Sequence, residues 1–267
     1  MTKAVQPGLA GKVAIVTGGA TSIGAAVVRA FAAAGTRVAI ADIQAEAGRR
    51  LAEELGSDAL AVATDLTDDA QIDACVAATV ERFGRIDILV NVACAYVDQG
   101  FATTRAEWRA ALDVNLIGGV MMARAVHPHM VAAGGGAIVN FGSVSGRVAQ
   151  AGRWTYPASK AAVMQVTRSQ ALDFARDRIR VNSVSPGWTW SAILDQLSQG
   201  DMDKVNAVAA PFHPLGRIAL AEEVANAVLY LCSDRASFVT GTDLAVDGGY
   251  GAIGPERGEA AIAALMG

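Results

Sequence analysis

The chain has 267 residues, 52% of them hydrophobic, enough for one large domain or two small ones around a sizeable core. A net charge of −4 gives no reason to expect nucleic acid or an anionic membrane surface as a partner. No apolar run reaches the length of a membrane span, and Met1-Thr2-Lys3-Ala4-Val5-Gln6-Pro7 lacks the apolar core of a secretion signal, so a cytoplasmic protein is expected.

Short apolar strands alternate with amphipathic helices. Lys12 to Thr17 reads as a buried strand, followed by a glycine turn and a helix from about Ile23 to Ala34 that stops at Gly35. Arg37 to Ala41 is a second strand, and a helix runs from it to Gly56. Ala59 to Ala63 is a third strand, and a helix from about Asp68 ends at Gly84. Ile86 to Val90 is a fourth strand, and one long helical stretch from about Arg105 to Ala133 precedes Gly134-Gly135-Gly136. Ala137 to Phe141, Ile179 to Val184 and Leu244 to Val246 complete the strands.

Strands that are apolar at nearly every position are covered on both faces, which predicts a parallel sheet. The chain has no linker, repeat or low-complexity tract. The expected fold is therefore α/β: a Rossmann-type, doubly wound parallel sheet in one domain over residues 1–267. Within it, residues 188–217 have weaker periodicity and two tryptophans, and read as a substrate lid. Residues 250–267 form a C-terminal tail.

Cys75, Cys94 and Cys232 are odd in number and widely spaced, which supports neither a disulfide framework nor zinc. Val92, Ala93 and Ala95 bring no positive charge to Cys94, which reads as a small packing residue rather than a redox sensor. His127, His129 and His213 have no carboxylate or cysteine companions at ligand spacing, so no metal site is expected.

Three groups carry chemistry. Thr17-Gly18-Gly19-Ala20-Thr21-Ser22-Ile23-Gly24 joins the first strand to the first helix, where backbone N–H groups and the helix dipole can hold a pyrophosphate. Asp42 ends the second strand eighteen residues after Gly24. Its carboxylate can accept from an adenosine ribose diol and would repel a 2′-phosphate; it can also cap the next helix. Ile43 and Gln44 follow rather than an arginine, which favours NAD over NADP. Tyr156 and Lys160 lie one helical turn apart, and Ser143 lies thirteen residues before the tyrosine. An ammonium beside a phenol favours the phenolate, and a serine hydroxyl can hold a reacting oxygen. Alone, the Tyr–Lys pair is weak evidence and reads first as two solvated residues on an exposed helix.

Glycine turn, Asp42, Asp65-Leu66, Asn91-x-Ala93, Asn115, Ser143, Tyr156-x-x-x-Lys160, Pro186-Gly187 and Val246-Asp247-Gly248-Gly249 occur in the order seen in short-chain dehydrogenases/reductases. The resemblance spans about residues 9–250. It implies a seven-stranded sheet with helices on both faces, a nicotinamide cofactor and a homotetramer. It also implies Tyr156 as acid/base and Lys160 as the residue that lowers the tyrosine's pKa and binds the nicotinamide ribose. Ser143 would hold the substrate oxygen, and Asn115 a proton-relay water.

The cofactor set it implies is Gly18, Ser22, Ile23, Gly24, Asp42, Ile43, Asp65, Leu66, Asn91, Ala93, Tyr156, Lys160, Pro186, Gly187, Thr189 and Ser191. Asp65-Leu66 falls beside the adenine, and Asn91 and Ala93 fall on the adenosine ribose side. Pro186, Gly187 and the Thr189 backbone fall at the carboxamide. Three positions depart from the family: Ser22 and Cys94 replace glycines, and Ser191 replaces a threonine.

These readings converge on a small-molecule oxidoreductase that moves hydride between NAD and a secondary alcohol or ketone. Tyr96, Val144, Ser145, Gln150, Arg153, Trp154, Trp188, Trp190, Ile193, Leu194, Met202 and Phe212 are candidate pocket walls. Their aromatic content points to a cyclic or aromatic substrate, although the tryptophans can equally pack the lid. The competing readings are an NADPH-dependent 3-oxoacyl-carrier-protein ketoreductase and a nucleotide-binding regulator without turnover. The tyrosine helix carries Ala158, Ala161, Ala162, Val163 and Val166, which predicts cover by a partner helix. The tail, with Ile262, Leu265 and Met266, is expected either to cross a subunit boundary or to fray.

Overall fold

A computed structural model describes residues 7–254. Seven parallel strands form one sheet: β1 (Val13–Thr17), β2 (Arg37–Asp42), β3 (Ala59–Ala63), β4 (Ile88–Asn91), β5 (Gly136–Phe141), β6 (Ile179–Pro186) and β7 (Asp243–Val246). Their order across the sheet is β3-β2-β1-β4-β5-β6-β7. Between them run α1 (Ser22–Ala33), α2 (Ala45–Leu55), α3 (Asp69–Phe83), α4 (Arg105–Leu112), α5 (Gly119–Ala132), α6 (Thr155–Phe174), α7 (Ala192–Ser198), α8 (Met202–Ala209) and α9 (Ala221–Cys232).

The apolar strands divide their side chains between two cores. On one face Ala14, Val16, Val38 and Ile40 meet Val27 and Phe31 of α1, Leu51 of α2 and Val228 of α9. On the other, Ile15, Ala39, Leu89 and Ile138 meet Ile72 of α3, Met122 and Val126 of α5 and Ala171 of α6. Fully buried strands without polar alternation require this double cover. Because every strand is parallel, the C-terminal ends of β1, β2, β4, β5 and β6 share one edge. The order reverses between β1 and β4, opening a crevice at that edge.

The long helix read over residues 105–133 is not continuous. Between α4 and α5, Asp113–Gly118 forms a π-helical segment. A widened turn re-aims Asn115 toward a distant loop, which helical periodicity alone does not disclose.

Candidate active site

The glycine turn sits at the crevice. Gly18 has φ 61°, and a Cβ there would lie 2.7 Å from the Ala93 Cα. A Cβ on Gly24 would lie 2.1 Å from the Gly18 carbonyl oxygen. Both positions therefore need glycine for the turn to close against β4 and α1. Thr21 caps α1, its hydroxyl accepting from Gly24 N at 3.2 Å. The first-turn N–H groups of Ser22 and Ile23 have no intrahelical partner and form a cradle suited to a pyrophosphate.

The Ser22 Oγ accepts from Ala192 N, the first residue of α7, at 3.3 Å.

Asp42 is buried at the end of β2, the site expected for a ribose carboxylate. One oxygen accepts from Ala20 N at 2.9 Å and the other from Gln44 N at 2.8 Å. The carboxylate thus braces the glycine turn and also starts the segment leading to α2. Its remaining lone pairs can still accept from a diol. Ile43 beside it is exposed.

Leu66 is buried against Gly118, whereas the Asp65 side chain accepts from Thr67 N and Oγ1 at 2.9 and 2.8 Å. The Asn91 amide turns into the sheet, donating to Gly119 O at 3.2 Å and to Asn140 Oδ1 at 2.9 Å. Its Oδ1 has no protein partner among the described residues and borders a cavity of about 20 Å³, lined also by Thr17, Asn140 and Lys160. That volume accommodates one water.

Tyr156 and Lys160 occupy the first turns of α6, beside the end of β5. The Lys160 Nζ lies 5.5 Å from the Tyr156 ring centroid and donates to Phe141 O at 2.9 Å. Ser143, two residues beyond β5, accepts from Ser145 N at 3.1 Å, and its hydroxyl faces the phenol. Burial pushes the Tyr156 phenol above the ordinary tyrosine value, and the Cys94 thiol adds to the rise. Hydrogen bonding from Ser143 and Tyr96, and the charge of Arg153, work the other way. In the chain by itself the Lys160 ammonium is bonded to a backbone carbonyl, and desolvation of the phenol outweighs the favourable contacts.

Asn115 is also bound up. Its Oδ1 accepts from Ala95 N at 2.7 Å, and its Nδ2 donates to Ala95 O and to Ser159 Oγ. The side chain therefore fixes the loop after β4 to α6.

Pro186 ends β6, and Gly187 N donates to Val246 O at 3.0 Å. Thr189 bridges Ala219 in parallel fashion, and Ser191 caps α7, accepting from Leu194 N. Beyond them α7 and α8 occupy the segment read from the sequence as a lid. Trp188, Trp190 and Leu194 pack on Val205, Ala209 and Ile218. The rings of Trp188 and Phe212 stack at 6.1 Å. The tryptophans thus make the lid's own small core, one of the two roles the sequence left open.

Of the other pocket candidates, Ser145 is buried and donates to Gln150 Oε1 at 2.7 Å. Val144 is buried, Arg153 and Trp154 are exposed, and Tyr96 stacks on Tyr156. Ile193, Met202 and Phe212 remain partly exposed on the lid.

Among the described residues no group of three or more His, Cys, Asp or Glu is arranged to hold a metal. Nor is any described helix long and apolar enough to cross a membrane. Burial raises the Cys75 thiol, and it pushes the Cys232 thiol up to about 12.

Known proteins bear on this geometry. Residues 18–251 match a family model described as Enoyl-(Acyl carrier protein) reductase. The chain is 40% identical over 252 residues to cis-4-hydroxycyclohexanecarboxylate dehydrogenase of Sinomonas cyclohexanicum, covering 91% of this chain and 97% of that one. It is 40% identical over 247 residues to D-threitol dehydrogenase of Mycolicibacterium smegmatis, covering 91% and 94%. The crystal structure of gox2181 superposes with a TM-score of 0.83 at 36% identity, covering 91% of this chain and 96% of that one. The chain belongs to the short-chain dehydrogenase/reductase family.

Proposed function

We propose that the chain reversibly oxidises a secondary alcohol to a ketone with NAD as hydride acceptor and Tyr156 as the acid/base. The observation that carries this reading is the meeting of Tyr156, Ser143 and Lys160 at the C-terminal edge of the sheet, beside the Gly18–Gly24 cradle. Bound nicotinamide supplies a carbon that accepts or returns hydride. When bound, it would be held with its pyrophosphate on the Ser22 and Ile23 amides and its adenosine ribose diol on Asp42. Leu66 and Ala93 line the adenosine side, and Lys160 reaches the second ribose. Gly187, Thr189 and Ser191 close the far wall.

Ser143 orients the substrate oxygen while Tyr156 removes its proton. The free phenol is raised by burial, so its activation depends on positive charge gathered at the site, from Lys160 and from Arg153 at the rim. The backbone of Asn115 serves the proton's exit.

Relatives named for a hydroxycyclohexanecarboxylate and for threitol support a ring or polyol bearing a secondary hydroxyl. Exposed Arg153 gives a carboxylated ring a counter-charge. The acyl-carrier-protein wording of the family model favours the rival ketoreductase reading. Asp42 and the −4 net charge weigh against its NADPH and its acidic carrier.

We read the enzyme as a cytoplasmic homotetramer. Ala158, Ala161 and Leu172 lie exposed along α6, which supports a partner helix there. Light scattering that finds a monomer at micromolar concentration would remove the assembly. The tail expected to reach a neighbouring subunit lies, from residue 255 onward, outside the described residues.

Nicotinamide absorbance, followed with NAD and NADP against a panel of cyclic secondary alcohols and polyols, tests the reading. Turnover with NAD is expected. Its absence across the panel, with cofactor bound, would favour the regulator without turnover.

A further inference from the structure

The loop after β4 is fastened to the start of α6 by contacts that none of the assigned roles needs. Asp98 carries most of them. Its carboxylate accepts from Trp154 N at 2.9 Å, from Tyr156 N at 2.9 Å and from Gly100 N at 3.0 Å. These first two N–H groups belong to the beginning of α6, whose own cap residue, Trp154, supplies no side-chain bond. Asp98 therefore caps the helix from a loop 56–58 positions away in sequence.

The neighbouring contacts reinforce the join. Thr155 Oγ1 donates to Val97 O at 2.6 Å. A Cβ on Gly100 would stand 2.9 Å from Gly152 O, so the two backbones touch. The result lies between the two fastened segments. The rings of Tyr96 and Tyr156 stack with centroids 5.1 Å apart and planes 22° from parallel. The Tyr96 ring is largely exposed on its outer side, and the near-parallel stack sets the two phenols side by side. Each phenol perturbs the other's ionisation: Tyr96 is raised, by burial first and then by Tyr156, while Tyr96 works to lower Tyr156.

We propose that Tyr96 is a second phenol of the acid/base centre, donating to the Tyr156 oxygen, and that Asp98 is the positioning residue that holds the two rings in register. The inference rests on Tyr156 being the acid/base.

A donor to the Tyr156 oxygen stabilises the phenolate, the form that removes the alcohol proton. Ser143 from the end of β5 acts in the same sense, as does the charge of Arg153, while Cys94 from the β4 loop opposes it. Lys160, on α6 itself, lies over the ring. Tyr96 is thus one of two neutral donors at the reacting oxygen. It is also the one carried by a loop rather than placed directly beyond a strand.

The experiment compares wild type, Tyr96→Phe, Asp98→Ala, Asp98→Asn and Tyr156→Phe. Tyr96→Phe keeps the stack and loses only the hydroxyl. The acid limb of kcat/KM for alcohol oxidation should then move to higher pH by roughly half a unit, about a threefold loss at fixed pH on that limb. The tyrosinate absorbance titration should move with it, without any substrate. Asp98→Ala should lower kcat with little change in the KM for NAD, and Asp98→Asn, which keeps one acceptor oxygen, should recover part of the loss.

An unshifted pH profile and an unshifted tyrosinate titration in Tyr96→Phe would overturn the proposal. If Asp98→Ala fails to fold, the Tyr96→Phe result alone decides. If Tyr156→Phe keeps its activity, the functional reading fails; if only Tyr96→Phe is silent, this inference fails alone.

Discussion

The hydroxyl of Ser22 and the backbone of Ala192 are joined: Ser22 Oγ accepts from Ala192 N at 3.3 Å. One belongs to the cofactor turn and the other opens α7 in the lid. A glycine at position 22 leaves the lid without this tie. Ser22→Gly should therefore loosen the lid and raise the KM for the alcohol by about two- to tenfold, the worth of one modest hydrogen bond. The kcat should hold or rise. Ser22→Thr, which keeps the hydroxyl, should stay near wild type. Steady-state kinetics that find the glycine variant's KM unchanged would show that the tie carries no weight.

Tyr156→Phe removes the titratable group and leaves Lys160 on Phe141 O. Turnover should nearly vanish while NAD still binds, as read by cofactor fluorescence. Retention of more than about a tenth of the activity would take Tyr156 out of the acid/base role. Lys160→Ala should damage both turnover and cofactor affinity, and should also leave the Phe141 carbonyl without its donor.

Asp42 predicts a preference for NAD over NADP of at least about tenfold, roughly 1.4 kcal/mol. Asp42→Ala should narrow that gap. It should also cost stability, because Ala20 N and Gln44 N lose their acceptor. Equal catalytic efficiency of the wild type with both cofactors would sink the assignment.

Arg217 holds the carboxyl of Glu223 far down, at about 2, through a two-pronged contact of 2.7 and 2.8 Å, and Leu220 N adds a further bond. A depressed folded-state pKa gives stability that is complete above the unfolded value of about 4.3 and is lost as pH falls through the folded value. Both side chains are more than a third exposed, so solvent screening limits the pair to about 0.5–1 kcal/mol. Glu223→Gln should lower the melting temperature by a few degrees at neutral pH. The difference should shrink between about pH 4 and pH 2. A gap that stays constant down to acid pH would deny the ionic origin.

The sheet was legible in the chain because its strands are buried on both faces: β3 falls on the expected Ala59–Ala63, and the other strands differ by a few residues at their ends. The glycine turn and the Tyr156 helix were legible for a related reason, since each is fixed by neighbours close in sequence. What the sequence hid depends on distance. The π-helical break at Asn115 follows from its bonds to Ala95, twenty residues away, while the local pattern is uninterrupted helix. Asp98 looks like an ordinary loop carboxylate until it meets Trp154 and Tyr156. The partners of the Asn91 amide, Gly119 and Asn140, likewise lie far away in sequence.

The middle of the sheet also carries a history. Val13 N donates to Asp87 Oδ2 at 3.0 Å across 74 positions of chain, and Lys12 and Arg85 clasp the same carboxylate at 3.1 and 2.5 Å. During synthesis, β1 must wait for the arrival of β4 before its second edge is covered, whereas β2 and β3 can join it early. The crevice that serves chemistry is thus the last seam of the first half to close, and its closure carries the high loop entropy that slows parallel sheets. Asp87 is a clasp on that seam. Its removal should appear first as slower refolding with the seam open.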